Sequence, residues 1–167
     1  MTRTLRGLAP LAVALLVFGI VVWQTLSRDM AIGTWLLAAF LVGHGWVHLM
    51  FVMPRPAPAA AGAGVMDFPF DLGHSWAVTR IGLASGPVRM VGLALMSATV
   101  VGYTLSGLAT VGVLIPSEWW PILVIVATTA SVLLLGLFYQ PGLLLGLAVD
   151  AVLLWLVFAS AWRPSTG

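Results

Sequence analysis

The run from Leu143 to Trp162 holds a single charge, Asp150, in twenty residues. A helix of that length is about 30 Å long, the thickness of a bilayer's hydrocarbon core. Inside lipid every backbone N–H and C=O must find its partner within the segment, so such a run crosses as a helix. Four other runs share this character: about Leu8 to Leu26, Ala31 to Met53, Val88 to Gly107 and Glu118 to Phe138. The expected fold is therefore all-α, one polytopic transmembrane domain over residues 1–167 with five spans. Composition excludes the soluble alternative: 61% of the chain is hydrophobic, 7% is charged and the mean hydropathy is +1.10. A soluble domain cannot hide that much apolar surface.

The basic pI of 9.9 rests on seven arginines and no lysine. So few cations are read as membrane topology, and nucleic acid is not an expected partner. All-arginine usage with abundant Ala, Gly, Val and Leu points to a bacterial genome rich in G and C. With no cysteine, disulfides, thiolate metal sites and cysteine nucleophiles are excluded. Any metal would be held by histidine, carboxylate or backbone oxygen.

Arg3 and Arg6 give the first run the basic front of a signal peptide. The run is long for such a leader and no Ala-x-Ala site follows, so a retained first span is expected over a cleaved one. The second run stops at Pro54, which cannot continue a helix. Residues 54–64, PRPAPAAAGAG, form a linker with too little bulk to pack. The whole connector is 54–86. Leu72 to Ala84 is expected as a short interfacial helix with Leu72, Trp76 and Leu83 on its apolar side. Ser85 is expected to cap the third span, with Pro87 in its first turn. Along that span Gly92, Met96, Thr99, Tyr103 and Ser106 share one face, which reads as a packing seam. Most of the eight tryptophans lie near span ends, where they would anchor the helices at the membrane surface.

Five spans place the termini on opposite sides. With the N-terminus cytoplasmic, Arg3, Arg6, Arg55, Arg80 and Arg89 lie inside against Arg28 and Arg163 outside, which favours that orientation. The expected location is a bacterial inner membrane, with the lipid bilayer and other membrane subunits or further copies of the chain as partners.

Four residues are candidates for chemistry: His44, His48, His74 and Asp150. An acid near mid-membrane costs about 2.5 to 3.5 kcal/mol on insertion scales, so it faces the bundle interior with a partner or a task. Arg80 or Arg89 is one candidate partner; a ligand or proton-carrier role is the other reading. His44 and His48, four residues apart, share a helix face as a pair of metal ligands requires. They also suit hydrogen bonding across a helix interface. Two histidines on one face cannot clamp both sides of one haem, so a tetrapyrrole would need a second helix. No Glu follows His44, so the HExxH pattern is absent. Counted from the cytoplasmic ends of their spans, His44 lies roughly 13 Å deep and Asp150 roughly 12 Å. The two therefore share a depth. Gly43 and Gly45 flank His44 and invite close approach of something bulky.

Gly43 to Pro54, with its HGWVHLMFVMP, the EWWP of Glu118 to Pro121 and the LFYQPGLLLGLAVD of Leu137 to Asp150 resemble a group of small uncharacterised polytopic bacterial integral membrane proteins. That resemblance covers spans two to five and implies a multi-pass fold, with no activity to carry over. A looser likeness to intramembrane zinc hydrolases rests on several histidines and an Asp in a helical bundle. Those enzymes have seven spans and motifs not matched here.

Three function classes follow. The first is a structural or accessory subunit, or small-ligand-binding membrane protein, with a His/Asp cluster in the cytoplasmic half. The second is a metal-dependent intramembrane enzyme with Zn or Fe on His44, His48 and Asp150, and His74 as a mobile ligand or base. The third is a proton-coupled transport subunit with Asp150 as carrier.

Overall fold

The computed structural model describes residues 30–53, 72, 75–160 and 162–164, together with 16, 19, 20 and 23. The expected first span lies almost wholly outside the described residues, as do the linker 54–64, the connector residues 65–71 and His74. Among the described residues every regular element is helical.

Among the described residues, four helical segments are long and apolar enough to cross a membrane. The first, α1 (Met30–Val47), tightens into a 3₁₀ turn at His48–Phe51. Val52 N–H then bonds the Leu49 carbonyl at 3.0 Å, so the helix has closed before Pro54 forbids its continuation. A single helical turn, α2 (Trp76–Thr79), precedes the long α3 (Ser85–Thr110). Next comes α4 (Trp120–Leu137), entered through a 3₁₀ turn at Ser117–Trp119 with Pro121 in its first turn. Last is α5 (Leu144–Phe158), entered through Pro141–Leu143. The spans match the expected runs to within a few residues.

Three local expectations are corrected. Ser85 is the first residue of α3 and not its cap; Ala84 holds that position with no side-chain bond. Of the interfacial helix expected over 72–84, the described residues form one helical turn, and the chain turns at Gly82, whose φ is +78°. Its inward side carries Leu72, Ser75 and Ala77, whereas Trp76 and Leu83 are exposed. Of the tryptophans near span ends, Trp119 is exposed, whereas Trp120 is fully buried and packs edge-to-face on Trp162 with centroids 5.0 Å apart.

The principal packing runs α1 on α3, α3 on α4 and α4 on α5. The centre of this order is the seam of α3, where Val88, Gly92, Met96, Thr99, Tyr103, Ser106 and Thr110 are all buried at steps of four or three. Glycine lets the neighbours close in. A Cβ at Gly102 would lie 2.8 Å from the Ala127 Cβ of α4, and one at Gly107 would lie 2.9 Å from the Ala38 carbonyl of α1. At the connector end, Ser75 Oγ donates to the Leu137 carbonyl at 2.6 Å and Trp76 Nε1 to the Gly136 carbonyl at 2.7 Å. Those are orphan acceptors at the end of α4, so the short turn caps the helix it rests on.

The buried apolar side chains fall into two clusters. One gathers Phe51, Leu72, Met96, Leu134, Leu135, Phe138 and Leu143 at the connector end. The other gathers Leu37, Leu41, Val124, Leu153 and Leu156 toward the far end. In α1, α4 and α5 the sequence between these clusters is where His44, His48, Thr128, Ser131 and Asp150 lie.

Candidate functional site

Asp150 is fully buried one turn and a half into α5. Its partners come from three other helices. Tyr103 of α3 donates its phenolic O–H to Asp150 Oδ1 at 2.6 Å. Ser131 of α4 donates to Oδ2 at 2.7 Å. His44 of α1 places Nε2 3.2 Å from Oδ1. A buried carboxyl group enclosed in this way has hydrogen bonds in place of the water it loses. The expected arginine partners are not used: Arg80 and Arg89 are both exposed, and the basic side chain that meets Asp150 is His44.

His48 forms the second layer. Its Nε2 lies 3.0 Å from Ser131 Oγ, and its Nδ1 lies 3.0 Å from the carbonyl oxygen of His44. A carbonyl only accepts, so Nδ1 carries a proton. Both ring nitrogens are thus engaged. Tyr103 Oη also meets Thr128 Oγ1 at 3.0 Å; because the phenol gives its proton to Asp150, Thr128 is the donor there. Ring contacts fix the imidazoles. His44 stacks parallel to Phe40 at 5.9 Å and meets the edges of His48 at 5.3 Å and Tyr103 at 5.0 Å.

The backbone explains why these groups reach one another. A Cβ at Gly45 would sit 2.8 Å from the Tyr103 Cβ, so α1 approaches α3 as closely as it does because that position is glycine. Gly43 has open space where a Cβ would go and faces outward. The two glycines beside His44 therefore differ: Gly45 answers the expectation of close approach and Gly43 does not.

Of the four sequence candidates, His44 and Asp150 meet directly, His48 joins them through Ser131, and His74 lies outside the described residues. Three members came unannounced: Tyr103, Thr128 and Ser131. Among the described residues no three side chains of His, Cys, Asp or Glu are gathered to hold a metal ion. The donor set also differs from a serine hydrolase. There the histidine stands between serine and acid, whereas here Ser131 stands between His48 and Asp150 and is fully buried. Comparison with family models, with curated proteins and with solved structures yields no match to this chain.

Proposed function

We propose that the chain is a multi-pass protein of the bacterial cytoplasmic membrane, with five spans and the N-terminus and connector 54–86 cytoplasmic. The turn at 72–84 then rests at the membrane surface. Its Asp150 cluster binds and releases a proton during transport, as a subunit of a larger membrane assembly or as a homo-oligomer. One observation carries the reading. Asp150 is enclosed by two hydroxyls and His44, and none of the described arginines bonds it to hold it permanently ionised. A carboxyl with a fixed cationic partner fastens helices, whereas one paired with groups that themselves exchange protons can change charge in place.

The metal-dependent reading draws on the same pair, since His44 and Asp150 are in contact. It requires His48 Nε2 to leave Ser131, Nδ1–H keeping the His44 carbonyl, and a further ligand from beyond the described residues. The proton reading uses the arrangement as it stands.

The test is reconstitution into phosphatidylethanolamine and phosphatidylglycerol vesicles with a trapped pH dye. Under a potassium diffusion potential, the wild-type protein should move protons and Asp150→Asn should not. Equal rates in the two would refute the proposal.

A further inference from the structure

We infer that Ser131 is a proton relay between Asp150 and His48. The inference rests on the proton-coupled reading above and names the internal partner with which Asp150 exchanges. It follows from counting hydrogens along three contacts in series. His48 Nδ1 faces the His44 carbonyl at 3.0 Å, His48 Nε2 faces Ser131 Oγ at 3.0 Å, and Ser131 Oγ faces Asp150 Oδ2 at 2.7 Å.

The carbonyl end is fixed, because it accepts and cannot donate, so Nδ1 is protonated in every state of the chain. The rest has two complete solutions. In one, His48 is the imidazolium: Nε2–H donates to Ser131 Oγ, and the Ser131 hydroxyl donates to the Asp150 carboxylate. In the other, Asp150 is the neutral acid: Oδ2–H donates to Ser131 Oγ, and the hydroxyl donates to the bare Nε2 lone pair. Both satisfy every group in the series, with the heavy atoms where they stand.

Passage between them breaks the Nε2–H bond and forms a bond from that proton to Ser131 Oγ. The original serine proton leaves for Asp150 Oδ2. One proton has moved from His48 to Asp150, an ion pair has become a neutral pair, and the serine is again a hydroxyl, its proton now turned toward His48. No oxidant or other reactant is needed.

The surroundings hold this path in place. Tyr103 and His44 both address Oδ1, which leaves Oδ2 to Ser131. His44 and Tyr103 are also the other titratable side chains that face Asp150. At the connector end, Phe51, Leu72, Leu134 and Phe138 form the apolar cluster next to the buried His48. A hydroxyl able to donate and accept at once is the one feature the middle position requires. Ser131 should therefore tolerate Thr and not Ala.

The experiment compares wild type, Ser131→Ala, Ser131→Thr and Asp150→Asn in the dye-loaded vesicles. Histidine ¹⁵N NMR and infrared bands of the carboxyl group are recorded on the same preparations. The relay predicts that Ser131→Ala lowers proton flux about a hundredfold, the scale of a lost positioned proton-transfer group, and that Ser131→Thr stays within about threefold of wild type. Flux in Ser131→Ala within about twofold of wild type, with Asp150→Asn inactive, overturns the relay and leaves the transport reading standing. If no protein moves protons, transport fails; the relay stands if the Asp150 carboxyl and the His48 ring change protonation together in wild type and separately in Ser131→Ala, and falls if they change separately in both. The NMR of wild type needs no variant to fold: a protonated Nδ1 on His48 at every pH is expected, and an Nδ1 without its proton overturns the inference.

Discussion

Gly43 and Gly45 stand two residues apart in the same helix and should respond to alanine with opposite signs. In a helix interior, Gly→Ala gains up to about 1 kcal/mol of propensity. At Gly43 the new methyl group meets nothing within 4 Å, so that gain is kept. At Gly45 the methyl group would lie 2.8 Å from the Tyr103 Cβ and 3.5 Å from the Val100 carbonyl. Carbon atoms rest about 3.5 to 4.0 Å apart, so α1 must retreat from α3 by roughly 1 Å, and a Cβ cannot swing aside as a side-chain tip can. Overpacking of this kind costs about 1 to 3 kcal/mol. A retreat along the line from His44 to Asp150 would also open their 3.2 Å contact to about 4 Å, beyond hydrogen-bonding range. The net expectation is a loss of about 1 to 2 kcal/mol for Gly45→Ala and a gain of up to about 1 kcal/mol for Gly43→Ala. The gap of about 2 to 3 kcal/mol is roughly 30- to 150-fold in the unfolding equilibrium. Unfolding by sodium dodecyl sulfate in mixed micelles, followed by circular dichroism, measures it. Equal shifts in the two variants, or a more stable Gly45→Ala, would refute the close-approach reasoning.

Tyr103→Phe keeps the ring and removes the hydroxyl that bonds Asp150 and Thr128. Hydrogen bonds between membrane helices average about 0.6 kcal/mol and reach about 1.7. With Asp150 Oδ1 still facing His44, the same titration should show a loss of about 1 to 2 kcal/mol. Ser75→Ala removes the bond to the Leu137 carbonyl and the cap on Ala77 N–H. Amides of the 76–79 turn should then exchange about fivefold faster in hydrogen–deuterium measurements, the equivalent of a lost cap of about 1 kcal/mol, with the centre of α4 unchanged.

Span positions were legible because lipid leaves one solution for a long apolar run, and turns such as Pro54 and Pro141 punctuate the chain. The stretch 72–84 was not, because its helical residues end at Thr79 and the chain then turns at Gly82, whose positive φ no apolar pattern announces. The pairing of His44 with Asp150 was legible by depth, since both helices are cut off near the same end, at Phe51 and Pro141. Tyr103 escaped the same count. From Ser85 it lies roughly 27 Å along α3, apparently far too deep. But a Cβ on Gly92 would touch the Phe138 ring and Leu72, so Gly92 is level with the end of α4 and α3 overhangs its neighbours. Measured from Gly92, Tyr103 lies about 16 Å along its helix, and Thr128 lies about 15 Å from Phe138. That agreement is why the two hydroxyls meet.

Ser131 was hidden for a different reason. Hydroxyls in these helices mostly bond the carbonyl four residues back: Thr99 to Leu95, Thr104 to Val100, Ser106 to Gly102, Thr110 to Ser106, Thr129 to Ile125 and Ser160 to Leu156. Such a group satisfies itself and needs no neighbour. In sequence, Ser131 looks like any of them. It differs because Asp150 stands across the interface, and a carboxyl oxygen at 2.7 Å is a stronger acceptor than a carbonyl already serving its helix. Once the hydroxyl turns outward its lone pairs are open, and His48 comes to 3.0 Å. One buried acid therefore converts a locally satisfied serine into the middle of a chain that joins α1, α4 and α5. If so, Asp150→Leu, which removes the acceptor, should return the Ser131 hydroxyl to the Ala127 carbonyl and free His48 Nε2. The His48 ¹⁵N resonance of that variant should lose its sensitivity to Ser131→Ala, and a His48 signal that still responds would refute this ordering of causes.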